Sequence, residues 1–139
     1  MVLPNLRKVG SDLVISADTL YSLNLSALES VGNNLQFEVW DVKNMDFGAL
    51  KIVAGNLSFP GRHYYGGGNT YLPEQVEFPH LETIGNQLEL KNPHRIKELL
   101  FPALISATTV SLEQTDVLEK IERGRGDVDV TMDPSGERI

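Results

Sequence analysis

The chain contains no cysteine, which excludes a disulfide framework, a thiolate metal site and a cysteine nucleophile. It leaves secretion open. Positive charge is scarce: 12 Lys and Arg stand against 19 Asp and Glu, for a formal net charge of −7. No Lys/Arg cluster offers the basic face that nucleic-acid binding needs. Long apolar runs are missing too, since none approaches the roughly 18 residues of a membrane span, and no membrane insertion is expected. Met1 leads straight into patterned sequence without a basic and apolar leader, so an exported form is expected to have had its signal removed. The three histidines, His63, His80 and His94, share no metal-ligand spacing and read as solvated residues, so neither metal nor cofactor is expected. No Gly-x-Ser-x-Gly elbow is present. Gly66 to Gly68 lacks the Gly-Lys-Ser/Thr of a phosphate loop. With 139 residues, 41% hydrophobic and 22% charged, the chain has enough material for one domain with a core.

What is present is a repeat. Starts fall at Leu3-Pro4-Asn5-Leu6, Leu25-Ser26-Ala27-Leu28, Phe47-Gly48-Ala49-Leu50, Phe78-Pro79-His80-Leu81 and Phe101-Pro102-Ala103-Leu104, spaced by 22, 22, 31 and 23 residues. Each of the first four is followed by one figure: Leu6, Val9, Gly10, Leu13, Ile15 in the first copy, and Leu81, Ile84, Gly85, Leu88, Leu90 in the fourth. The fifth copy is one residue shorter and loses the glycine. A second apolar pair closes most copies, as in Leu20 with Leu23 and Val42 with Met45.

Such a unit cannot bury its own apolar face and must stack on copies of itself. Leu13-Val14-Ile15 and its equivalents alternate in, out, in, the period of a strand with one buried face. Stacked copies then form a parallel sheet with rungs about 4.8 Å apart, and the rest of each copy serves as the crossover. The expected body is mainly β with little helix: a right-handed parallel β-solenoid of about five to six coils. Residues 1–122 form the repeat region, and 123–139 a C-terminal capping strand and tail. Gly10, Gly32 and Gly85 fit a corner whose backbone conformation is costly for residues with side chains. Asn33-Asn34 and Asn86-Gln87 beyond it can bond to turn backbone.

The phrases beginning Leu3-Pro-Asn-Leu-Arg-Lys-Val-Gly, Leu25-Ser-Ala-Leu-Glu-Ser-Val-Gly and Phe78-Pro-His-Leu-Glu-Thr-Ile-Gly resemble receptor L-domain repeats, with general leucine-rich repeats as the neighbouring type. The likeness runs from about Leu3 to Ile121. It implies a scaffold that forms ligand-binding lobes of insulin and epidermal growth factor receptors and recurs in fungal cell-wall and microbial surface proteins. A cell-surface or secreted location would follow. It implies no particular ligand, because members share the scaffold and differ in what they bind.

Function is most often inserted where a repeat is broken. The third copy is lengthened by the insertion at 60–73, which holds Arg62, His63, Tyr64, Tyr65 and Tyr71 among glycines. Tyr and Arg carry contact area and directional bonds at low entropic cost, and glycines let a loop adapt. The reading is a non-catalytic module that binds a protein or glycan partner through this loop. The plainer reading is a tolerated insertion whose tyrosines lie back on the solenoid. Trp40, the single tryptophan, shares a column with Asp18, Pro93 and Thr115, which places it at a loop edge, where it either packs half-buried against the coil, the reading favoured, or extends the binding patch. The outward positions Val14, Gln36, Ser58, Glu89 and Ser111 form a mixed ladder with no repeated carboxylate, which argues against a repetitive charged ligand on that face. A carbohydrate-active enzyme of the stacked-coil type would need paired carboxylates on one face. Glu38, Asp41 and Asp46 are near one another in sequence, but their spacing is also that of an ordinary solvated face.

Beyond residue 123, Val128, Val130 and Met132 alternate with polar residues as one more strand, and Asp133-Pro-Ser-Gly136 reads as a turn. Arg125-Gly126-Asp127 matches the tripeptide that integrins recognise, and a turn before the last strand explains it equally. Asn24-Leu-Ser26 and Asn56-Leu-Ser58 satisfy the glycosylation acceptor pattern. The first copy begins at Leu3 with almost nothing to cover its leading edge, whereas solenoids normally need caps. Either the chain is part of a longer one, or two copies meet there as a homo-oligomer. That second option makes a self-assembling building block the alternative function.

Overall fold

The structure, a computed structural model, describes residues 1–60, 75–91, 98–113, 120–123 and 128–130. The in, out, in alternation of segments such as Leu35-Gln36-Phe37 goes with twelve strands and no helix among the described residues. In chain order these are β1 (Lys8–Val9), β2 (Leu13–Asn24), β3 (Ser30–Val31), β4 (Leu35–Asp46), β5 (Ile52–Val53), β6 (Leu57–Pro60), β7 (Gln75–Glu77), β8 (Thr83–Lys91), β9 (Glu98–Phe101), β10 (Ser106–Glu113), β11 (Lys120–Arg123) and β12 (Val128–Val130). Every strand pair among the described residues is parallel. A nine-stranded sheet and a three-stranded sheet of β7, β9 and β11 wind into a β-solenoid.

The repeat columns are the hydrogen-bonding registers. Val9, Val31, Val53, Ile84, Ala107 and Val128 pair rung on rung, as do Leu13, Leu35, Leu57, Leu88, Val110 and Val130. The turns number about four, slightly below the five to six coils expected. The strands β2 and β4 run 12 residues each, continuing through the closing apolar pair. The shortened fifth copy is absorbed at its corner, where the β8–β10 register shifts between Ala107 and Thr109.

The core is a stack of columns, buried in the inner coils. Leu28, Leu50 and Leu81 are 0% exposed. Phe47, Phe78 and Phe101 stack with centroids 4.9 and 5.3 Å apart and planes within 15° and 9°. A second column places Phe37 on Phe59 at 4.9 Å. Phe37 meets Phe47 at 5.2 Å and Phe59 meets Phe78 edge-on at 6.2 Å, so the two columns interlock across the coil interior.

The glycine column has a cause other than the one expected. None of these glycines needs a left-handed backbone; the constraint is the coil beneath. A Cβ on Gly32 would fall inside contact distance of the Gly10 carbonyl, and one on Gly85 inside that of the Ala54 carbonyl. Gly10, in the leading coil, has nothing within 4 Å of that position. Beside this column runs a polar ladder: Asp12 Oδ1 accepts Asn34 N–H at 3.0 Å, Asn34 Oδ1 accepts Asn56 N–H at 2.9 Å, and Asn56 Oδ1 accepts Gln87 N–H at 3.1 Å. The expected side-chain bonding to turn backbone therefore runs between coils.

Candidate binding site

The insertion at 60–73 leaves the solenoid from the end of β6. Phe59 and Pro60 pair there with Leu90 and Lys91. The chain re-enters at Gln75, the first residue of β7. Arg62, His63, Tyr64, Tyr65 and Tyr71 lie outside the described residues, as do His94 and Arg125-Gly126-Asp127. Trp40 is placed by its backbone inside β4, not at a loop edge. The β2–β4 ladder pairs Ala17 with Val39 and Thr19 with Asp41 on either side of it, so the strand runs through that position. Its side chain is outside the described part of the structure.

At the point of re-entry the described residues form an open cleft of about 270 Å³, lined by Met45, Asp46, Phe47, Gly48, Gln75, Glu77 and Pro79. Its origin is visible in the ladders. β4 pairs with β6 at Leu35↔Leu57 and Gln36↔Ser58, while β7 pairs with β9. The end of β4 and the start of β7 face each other across the cleft without a ladder between them among the described residues. The Phe47–Phe78 ring stack underneath holds the two coils together at the cleft's inner side.

One wall is a turn held from two directions. Asp46 Oδ1 accepts the Gly48 N–H at 2.9 Å, closing an Asx turn. His80 Nδ1 lies 2.6 Å from the Gly48 carbonyl, which requires the tautomer that carries its proton on Nδ1. His80 is thus exposed, as expected of a solvated residue, and also ties the turn of one coil to that of the next. Asp46, Gln75 and Glu77 are exposed along the rim. They give the cleft two carboxylates and an amide, groups suited to hydroxyl, amide or cationic donors.

Of the three carboxylates considered for catalysis, two can be placed by their side chains. Glu38 and Asp46 are eight positions apart on β4, about 26 Å of strand contour, and Glu38 Oε1 accepts Gln36 Nε2 at 2.7 Å. The side chain of Asp41 lies outside the described residues. Among the described residues, no group of three or more His, Cys, Asp or Glu converges on a metal-sized site, and no helix is long and apolar enough to cross a membrane. The outward ladder Val14, Gln36, Ser58, Glu89, Ser111 is in register as expected. Both glycosylation acceptors have structural duties: Asn24 Oδ1 accepts Ser26 N–H at 3.0 Å, and Asn56 belongs to the corner ladder.

Sequence reasoning missed Asp46, Glu77 and His80 as partners in one place. A signal existed for the first: Asn24-x-Ser26 and Asp46-x-Gly48 share a column and an Asx-turn spacing. Comparison of the chain with family models, curated proteins and solved structures finds no match to any of them.

Proposed function

We propose that the protein is a non-catalytic binding module of the receptor L-domain or leucine-rich-repeat type, which engages a protein or glycan partner through the 60–73 insertion and the cleft at its base. The observation that supports this reading is the break in an otherwise regular ladder. The coils pair in register on the long face, and the end of β4 parts from β7 where the insertion returns, leaving an open polar cleft. A repeat scaffold that presents contacts from its one irregular segment fits general experience with loops on rigid frames. The insertion adds Arg62, His63, Tyr64, Tyr65 and Tyr71, residue types that carry contact energy at interfaces. A cell-surface or secreted setting is consistent with this role.

The test compares the unaltered chain with a Tyr64→Ala, Tyr65→Ala double variant on a glycan array and in affinity capture from cell-surface extracts. Binding lost at an unchanged melting temperature supports the assignment. Capture that survives the double substitution sinks it.

A further inference from the structure

Asn24-Leu25-Ser26 and Asn56-Leu57-Ser58 share the N-glycosylation acceptor pattern, in which a sugar chain is joined to an asparagine followed two residues later by a hydroxyl. The fold gives the two segments different settings. Asn24 closes β2, and its side chain alternates outward between Leu23 and Leu25, each 0% exposed. Its side-chain bond is local: Oδ1 accepts the Ser26 N–H at 3.0 Å, an Asx turn that leaves Ser26 exposed. The outward direction lies across the stack and not along it, so the coil itself sets it, whatever lies on either side. The next two coils bear this out. Asp46 and Glu77, which precede Phe47 and Phe78 as Asn24 precedes Leu25, are both exposed, and Asp46 closes the same turn with Gly48.

Asn56 has the opposite setting. Its side chain runs along the stack, where Oδ1 accepts the Gln87 N–H of the following coil at 3.1 Å, and its own N–H donates to Asn34 Oδ1 in the preceding coil at 2.9 Å. Asn34, Asn56 and Gln87 are all half-buried. Space at this corner is short: a Cβ on Gly55 would come within 2.6 Å of Asn34 Oδ1. Leu57 and Ser58 then pass straight into β6, paired with Leu35 and Gln36 on one side and with Leu88 and Glu89 on the other. Neither the amide nor the hydroxyl of this segment stands clear of the sheet.

We propose that Asn24, and not Asn56, is an N-glycosylation site in a secreted or cell-surface form of the protein. This rests on the export setting proposed above and not on the identity of the partner. The donor is an oligosaccharide activated as a diphosphate. Asn24 Nδ2 bonds to its anomeric carbon, the diphosphate leaves with the electron pair of the C–O bond, and Nδ2 gives up one proton. The product amide keeps Oδ1 as an acceptor, so the bond from Ser26 N–H survives the modification. Asn24 pairs with Asp46 in the β2–β4 ladder, which sets the glycan one rung, about 4.8 Å, from the wall of the cleft.

The full chain, secreted by eukaryotic cells behind a cleavable signal, tests this by intact mass and site mapping. The expected product carries one glycan, at Asn24, lost in Ser26→Ala and retained in Ser58→Ala. Ser26→Ala leaves both partners of the turn bond in place, Asn24 Oδ1 and the backbone N–H, so it removes the acceptor hydroxyl without removing the turn. Release of the glycan by an amidase leaves an aspartate at position 24, the residue type that Asp46 supplies for the same turn, and the melting temperature is expected to hold. A secreted, folded chain without sugar overturns the proposal and leaves the export setting standing. A chain retained in the cells without sugar overturns both. Sugar at Asn56 of the folded protein, alone or beside that at Asn24, overturns the proposal as well. The Tyr64→Ala, Tyr65→Ala test of partner binding is independent of all these outcomes.

Discussion

Asn34 and Asn56, one coil apart, are joined by a bond from the backbone N–H of Asn56 to the side-chain oxygen of Asn34 at 2.9 Å. Parallel coils turn their corners where strand ladders stop, so backbone donors there must find side-chain acceptors or water. Three such bonds in succession, from Asp12 to Gln87, meet that need. Asn34→Ala removes the acceptor at a part-buried corner and is expected to lower stability by about 1 kcal/mol. Asn34→Asp keeps an oxygen in place, as Asp12 does one coil earlier, and is expected to stay close to wild type. Urea unfolding of both variants checks the difference.

The glycine column makes a sharper contrast. Gly32→Ala and Gly85→Ala force a Cβ into a carbonyl of the coil below, and backbone cannot give way as a side chain can. Each is expected to cost about 2–3 kcal/mol or more. Gly10→Ala, in the same column of the sequence, meets nothing within 4 Å and is expected to be neutral or slightly stabilising, through lower entropy of the unfolded chain. Thermal melts of the three variants under dilute conditions check this ordering. Equal losses at all three would mean that backbone conformation, and not coil contact, selects glycine.

The contrast shows how much was legible beforehand. Columns such as Val9, Val31, Val53 and Ile84 were readable because in-register stacking writes each rung's contacts into the repeat spacing itself. The glycine column was readable as a column, but its cause was not. Spacing says which residues are equivalent and not what lies beneath them. Trp40 was misplaced for a related reason: a polar column suggested a loop, yet pairing of Val39 and Asp41 carries the strand through it. The cleft escaped notice because it depends on where β4 stops pairing with the next coil after a nine-residue excess. No local pattern records that register.

Phe78 holds the middle of the aromatic column, stacked on Phe47 at 4.9 Å and on Phe101 at 5.3 Å, and met edge-on by Phe59. It is 0% exposed. Phe78→Ala opens a cavity shared by three coils and is expected to cost about 3–5 kcal/mol. Phe78→Leu refills much of that volume, and leucine already occupies the column at Leu25 with 0% exposure. Its cost is expected to be well under half that of alanine, since hydrophobic swaps near constant volume are the best tolerated. Chemical denaturation of both separates the loss of ring stacking from the loss of volume. Similar values for the two would make the stacked geometry itself the larger contribution.

The cleft permits a test in which binding and folding separate. Asp46 has a structural duty through its bond to Gly48 N–H, and its carboxylate also gives the cleft charge. Asn24 performs the same duty one coil earlier through its amide oxygen, at 3.0 Å from Ser26 N. Asp46→Asn should therefore keep the turn while removing the charge, whereas Asp46→Ala should lose about 0.5–1 kcal/mol with the turn. Glu77 is exposed on the opposite wall, so Glu77→Gln should leave stability within about 0.5 kcal/mol of wild type. The double variant Asp46→Asn, Glu77→Gln is thus a folded protein with an uncharged cleft. If the cleft contributes to partner capture through its carboxylates, this variant binds several-fold more weakly at low salt, and the gap to wild type narrows as salt is raised. Unchanged capture at every salt concentration would confine the contacts to the insertion and leave the cleft as a by-product of its length.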